Sequence, residues 1–341
     1  MIAAFIVILV VFDISENVDD LVKSKAPISG IVLDYYLNFA IQFGTILSSF
    51  IIFLTIIWFT SKMAQKSEVI AILSGGVSYK RFMRPYFIAS SILVLVSLAL
   101  SHYIVPKSNK DKLDFELKYL KEAINIDDKN IHREVEPGVI AHFYQFIPSQ
   151  MGGTNFSLEK WEKGKLTYKL ISTGATFNPE KKSWTINNAQ VRSFLPDGSE
   201  NVRFVLRIDT VLPMDMDTFG LRPETVGTMN TEELTDFIEV QKKAGSGKIA
   251  EFEIEKYSRT ANAFSIYILT LIGVTIASRK SRGGTGLHLL LAVVIGFIFI
   301  FISRFAAVSA MTIGLPASIA VWIPNSIFLP IGIYLYKVAQ K

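Results

Sequence analysis

The chain has 341 residues, half of them hydrophobic, with 35 Lys and Arg against 30 Asp and Glu and no cysteine. The net charge of +5 gathers beside apolar stretches rather than in one basic patch, so it carries no nucleic-acid signal. Without cysteine, any domain held outside the cell interior folds without disulfides.

Apolar stretches set the plan. A hydrocarbon core of about 30 Å needs roughly 20 apolar residues at 1.5 Å rise each. The stretches fall in two membrane blocks, 1–106 and 257–341, separated by a segment, 107–256, that reads as soluble β-structure with flanking helices. Residues 1–12 are wholly apolar but cover only about 18 Å, half a helix. They lack the basic n-region and the small-residue cleavage site of a signal peptide, so they read as a first span truncated at its start. Residues 36–60 form an uncharged second span.

In the loop 61–85, Lys62, Lys66, Lys80, Arg81 and Arg84 face Glu68 alone. A short helix over 67–75 is expected there, with Ser67 as its cap, Glu68 on its positive N-terminal dipole, and Gly75 with Gly76 at its end. Val69, Ile70, Ile72 and Leu73 give it an apolar surface. It reads either as an interfacial helix resting on headgroups or as a coupling helix that docks in a groove of a soluble partner and offers Glu68 to a basic residue there. Residues 86–105 form the third span, with His102 near its outer end, and 107–130 extend it as a charged helical stalk.

Period-two alternation then marks strands. Leu166, Tyr168 and Leu170 alternate with polar neighbours over 165–170, and Val202, Phe204, Leu206 and Ile208 do so over 201–209. Turns are expected at Asn178 with Pro179 and at Pro196, Asp197 and Gly198, and this spacing points to a sandwich or jelly roll. Asn230 is placed to cap a helix with Glu232 and Glu233 in its first turn and Gly245 at its end. Residues 251–260 lead into a span at 261–277. The next span, 287–302, runs on through Ser303 and Arg304 towards Leu315, and 315–336 is the last.

Cytoplasmic loops collect Lys and Arg. Arg279, Lys280 and Arg282 after the fourth span, and Lys337 and Lys341 in the tail, lie on the side of the loop 61–85. The opposite side, 13–35, holds Asp13, Glu16, Asp19, Asp20 and Asp34 against Lys23 and Lys25. Both termini are therefore expected in the cytoplasm and the β-rich segment outside.

No catalytic constellation emerges. His102, His132, His142 and His288 are scattered, AGSGKI at 244–249 departs from a phosphate loop, and SRGGTG at 281–286 follows no strand. NFS at 155–157 fits a sequon that is common by chance.

The run AQKSEVIAILSGGVSYKRF (64–82), the span after it, the β-rich segment and the closing GLPASIAVWIPNSIF (314–328) together resemble the LptF/LptG family of lipopolysaccharide-export permeases over essentially the whole chain. The resemblance implies a polytopic α-helical membrane protein of six spans, the first truncated, with an inserted all-β, jellyroll-like periplasmic domain. It also implies a bacterial inner-membrane location and, as partners, a second LptF/LptG-type permease, a dimeric cytoplasmic ATPase that binds the ATP, a periplasmic jellyroll bridge protein and lipopolysaccharide. This chain would then bind no cofactor. The family's coupling glutamate falls on Glu68 and its helix-ending glycine on Gly76, with Val69, Ile70, Ile72 and Leu73 between them.

Two departures stand out. The family has an N-terminal cytoplasmic segment and a full first helix. One branch also carries a basic residue near the outer end of that helix, where FDISENVDD (12–20) is acidic here, so that role is not carried over. Arg304 is the candidate replacement. It either pairs with Asp13 or Glu16 or snorkels to headgroups, or it meets a lipid A phosphate, to which guanidinium is suited. Phe204 and Leu206 are either core or the lining of an apolar route for acyl chains. The competing class is a membrane-anchored periplasmic binding or scaffold protein, for which five or six spans exceed what anchoring requires.

Overall fold

The computed structural model describes residues 2–24, 26–120, 129–147, 150–195, 198–212, 214, 223–281 and 283–339. Lys25, the stalk over 121–128, the turn residues Pro196 and Asp197, Arg282 and Lys341 lie outside the described residues. The chain divides into a helical unit, Met1–Leu120 with Val226–Thr235 and Ala250–Lys341, and a β-unit, Lys121–Thr225 with Asp236–Ile249.

In the helical unit, α1 (Ile2–Lys23) does not stop at Phe12. Neither Gly nor Pro interrupts the sequence before Pro27, so nothing breaks the helix, and Asn17 donates from its side chain to the carbonyl of Asp13 one turn back. The acidic stretch expected to follow half a span is therefore the second half of a helix about 33 Å long. The span over 36–60 is split at Leu47 into α2 (Leu37–Ile46) and α3 (Ser48–Gln65). After α4 (Glu68–Ser74), α5 (Tyr79–Ala99) continues through a wider turn at Leu100–Ile104 into α6 (Val105–Phe115). Pro106 accounts for that turn, because it lacks an N–H and its ring crowds the carbonyl four residues back. The helical stalk continues to Leu120, while Lys129 and Asn130, expected in the stalk, belong to the first strand.

In the second membrane block, α8 (Ile249–Ala277), α9 (Gly284–Thr312) and α10 (Ile323–Ala339) follow α7 (Thr231–Lys243). Among the described residues, five helical stretches are long and apolar enough to cross a membrane: Ser48–Gln65, Tyr79–Leu120, Ile249–Ala277, Gly284–Thr312 and Ala317–Ala339. The capping of α7 is reciprocal. Asn230 Oδ1 accepts from the backbone N–H groups of Glu232 and Glu233, and Glu233 Oε2 accepts from the Asn230 N–H, each at 2.9 Å.

The β-unit is one antiparallel sheet whose strands pair in sequence order: β1 (Lys129–Glu136), β2 (Val139–Ile147), β3 (Gly152–Glu162), β4 (Lys165–Asn178), β5 (Ser183–Phe194) and β6 (Glu200–Thr210). Lys163 and Gly164, both left-handed, make the two-residue turn between β3 and β4. At the next turn Asn178 Oδ1 accepts from the N–H groups of Glu180 and Lys181. The core is Phe143, Phe146, Phe156, Leu158, Leu170, Trp184, Ile186 and Val191, with Trp184 Nε1 donating to the Met214 carbonyl.

Curvature closes this core. The rings of Phe143 on β2 and Trp184 on β5 lie 6.0 Å apart although three strand spacings of about 4.8 Å separate their strands, so the sheet curls over its own inner face in jellyroll-like fashion. A crease crosses the sheet where pairing skips Asn155 on β3, Thr173 on β4 and Asn188 on β5. Asn155 and Asn188 sit there at φ +50°, a conformation asparagine tolerates better than other side-chain-bearing residues. Gly153 flanks the crease, where an added Cβ would stand 2.4 Å from the carbonyl oxygen of Gln145.

That crease corrects the expectation for β6. The inward phase changes across it, so Ile208 packs on the core while Phe204, paired with Gln190 between the buried Ala189 and Val191, faces away from it. Phe204 is 79% and Leu206 83% exposed, so neither is core.

Candidate coupling site

The short helix α4 is fixed at both ends by backbone geometry. Ser67 does not cap it. Its φ of 61° turns the side chain away, and Ser67 Oγ instead accepts from Lys280 Nζ at 3.2 Å. Glu68 stands in the first turn, where the exposed N–H groups favour a carboxylate. Gly76 ends the helix at φ +86°, donating to the Leu73 carbonyl, and no neighbour lies within 4 Å of its missing Cβ, so the backbone conformation alone asks for glycine.

The four apolar residues expected to form one docking surface divide between two faces. Val69 is 1% exposed, packed with Ala64, Tyr79, Phe82, Met83 and Val274, and Ile72 and Leu73 lean on the same cluster. These three hold the helix to its own protein. Ile70 is 49% exposed, and Glu68, Ala71 and Ser74 are exposed as well. Glu68 has no hydrogen bond or ion pair among the described residues. What α4 presents outward is therefore a free carboxylate beside a branched aliphatic side chain on an anchored stub, which suits docking to a protein groove rather than chemistry.

Arg304, on α9, is exposed, and the ion pair expected with Asp13 or Glu16 is not formed among the described residues. Asp13 Oδ1 accepts from the Tyr35 hydroxyl at 3.4 Å instead, and Glu16 is exposed on α1. No ion pair or hydrogen bond joins Arg304 to Glu68 among the described residues.

Two basic residues escaped the sequence reading. Arg259 is only 6% exposed. Its Nη1 donates to the Met229 carbonyl at 3.0 Å and its guanidinium pairs with Glu255 one turn back. The spacing of Glu255 and Arg259 within EFEIEKYSRT was a legible signal. Lys112 sits over the rings of Tyr35, Phe39 and Phe43 at 5.3–5.8 Å and donates to Gln42 Oε1. No group of three or more His, Cys, Asp or Glu suited to a metal occurs among the described residues.

Five apolar helices, a curled β-sheet inserted between two membrane blocks and an anchored helix with one free carboxylate define a polytopic membrane protein with the parts of a permease subunit. Residues 1–338 match the family described as lipopolysaccharide export system permease LptF/LptG, and the chain belongs to that family. Members are inner-membrane, multi-pass transport permeases of lipopolysaccharide export rather than enzymes. No curated protein matches the chain.

Proposed function

We propose that this chain is one of two permease subunits of an ABC transporter that lifts lipopolysaccharide out of the inner membrane, while a separate dimeric ATPase in the cytoplasm binds and hydrolyses ATP. The termini and α4 face the cytoplasm and the β-unit faces the periplasm, in keeping with the Lys and Arg bias of the loops. The observation that carries this reading is α4, whose anchored inner face and free Glu68 and Ile70 make it a contact through which a soluble partner can push. Closure of the ATPase displaces α4, and the helices rock so that a lipid cavity between the two permeases narrows outward. Arg304 meets a lipid phosphate there. On the periplasmic side, β6 offers an edge strand with exposed Val202, Phe204 and Leu206. Such an edge accepts a further strand and takes apolar contacts, as docking of the jellyroll bridge protein requires.

Co-purification of the detergent-solubilised complex tests this. Glu68→Lys should lose the ATPase, and lipid transport in reconstituted vesicles should stop. Retention of both would overturn the coupling role. Arg304→Ala should weaken lipopolysaccharide binding by about 10- to 100-fold, the range for one hydrogen bond to a charged group. Unchanged lipid binding would remove the phosphate role. A β-unit that captures its ligand with no ATPase associated would favour a scaffold.

A further inference from the structure

A line of polar contacts runs between α5, with the turn that follows it, and α8, from Tyr79 to His102 on one side and from Ser278 to Thr260 on the other. At the inner end the Tyr79 hydroxyl meets Ser278 Oγ at 3.0 Å. Midway, Ser90 Oγ meets Thr270 Oγ1 at 2.8 Å, and the Tyr267 hydroxyl donates to Ser91 Oγ at 3.0 Å. At the outer end His102 Nε2 contacts Thr260 Oγ1 at 3.2 Å while its Nδ1 contacts Thr231 Oγ1 at 2.7 Å. Partner numbers fall on α8 as they rise along α5, so the two helices run antiparallel in one fixed register.

This pair holds both ends of the mechanism. At its inner end lie the two flanks of α4, with Ser67 held by Lys280 and Tyr79 by Ser278, and Val274 of α8 packs with Val69. At its outer end lie Met229, held by Arg259, and Thr231, held by His102. By contrast, Ser303, Ser309 and Thr312 of α9 bond back only to carbonyls of their own helix.

We infer that α5 and α8 form a single zipped lever that carries the displacement of α4 across the bilayer to the segment 229–231, and that α9 moves against it. This rests on the coupling role proposed for α4. Each tie is modest on its own, about 0.6 kcal/mol in a membrane, so the lever rests on the four ties acting together with the buried packing of Val94 against Ala263 and Ile266 between the same two helices. The lever keeps its length and register while the distance from it to α9 changes.

Two measurements on the complex with its ATPase test the inference, helped by the absence of native cysteine. Spin labels at Ser74→Cys and Lys107→Cys should keep their separation between nucleotide-free and ATP-bound states to within about 2 Å, whereas labels at Lys107→Cys and Met311→Cys should move apart or together by more than that. A change in the first pair, or none in the second, overturns the lever. Separately, a disulfide between S90C and T270C should leave lipid extraction unchanged between oxidised and reduced forms. If oxidation stops extraction and reductant restores it, α5 and α8 must separate and the lever is wrong. If the parent complex extracts no lipid at all, the proposed function fails instead, while the spin-label distances still decide the lever.

Discussion

Val69 and Ile70 are chain neighbours on α4 that point about 100° apart, one buried and one half-exposed, so paired substitutions separate anchoring from docking. Val69→Ala removes two methyl groups from a site that is 1% exposed. At about 0.8 kcal/mol per buried methylene-sized group, with a small cavity term added, the loss is about 1.5–2.5 kcal/mol of local stability. Ile70→Asp removes a half-exposed side chain, and its cost to the fold is about 1 kcal/mol, from the covered half of the side chain and helix propensity together. In an interface, though, it deletes an apolar anchor and places a second carboxylate beside Glu68, for a loss of about 1–2 kcal/mol, or roughly 5- to 30-fold in ATPase affinity. The assay is thermal unfolding of the solubilised permease alongside titration of the ATPase onto it. Val69→Ala should lower the melting temperature more than Ile70→Asp does, and Ile70→Asp should lower affinity more than Val69→Ala does. Equal effects of the two variants on melting, or full ATPase affinity in Ile70→Asp, would refute the division of α4 into an inner and an outer face.

The β-unit and the capped helix yield three further tests. Gly153→Ala pushes a Cβ to 2.4 Å from the Gln145 carbonyl oxygen, so strands β2 and β3 must part, and the β-unit should lose about 1–3 kcal/mol, read as an earlier loss of Trp184 fluorescence burial on heating. Burial, and then the neighbouring His132 ring at 4.2 Å, hold the His142 pKa below its ordinary 6.5. The unfolded chain takes that proton first, so this contribution to stability is complete above the ordinary value and is lost as pH falls through the folded one. His142→Gln should therefore flatten the dependence of melting on pH on the acid side of neutrality, and an unchanged slope would discount the pair. Asn230→Ala removes the acceptor for two N–H groups, so hydrogen exchange at Glu232 and Glu233 should quicken by about fivefold, corresponding to about 1 kcal/mol.

Hydropathy and charge made the membrane blocks legible because both are averages over many residues, and averages survive local detail. The capping box at Asn230 was legible for the opposite reason, since it depends only on neighbours in sequence. What stayed hidden depends on single conformations. Ser67 has the right type for a cap, but its left-handed backbone and the amine of Lys280 override that preference. Strand periodicity over 201–209 places Phe204 and Ile208 on one face, yet a crease set by asparagines on other strands puts them on opposite faces. Arg304 invited a pairing with Asp13 on charge grounds, but no ion pair joins them among the described residues, and Asp13 Oδ1 accepts from the Tyr35 hydroxyl. Ser90, Ser91 and Thr270 simply lower a hydropathy average slightly, and their meaning lies in which helix each one meets.

The different bonding habits of the helices decide which of them can move. Each interhelical hydrogen bond in a membrane is worth about 0.6 kcal/mol, so the ties between α5 and α8 together hold a register against thermal energy of the same order without locking the fold. Burial adds to this, because α8 is the most shielded of the candidate spans, with 67% of its apolar stretch buried. α9 meets α3 through a different kind of contact, Gly296 against the Phe50 ring, where a Cβ would stand 2.2 Å from a ring carbon. Such a contact is close but carries no directional bond, so tilting costs van der Waals packing around the Gly296 notch rather than a hydrogen bond. On the proposed coupling role, carrying force and opening a lipid cavity call for both kinds of junction. The directional bonds lie on the helices that meet the coupling helix, and the non-directional contact lies on the helix that carries Arg304.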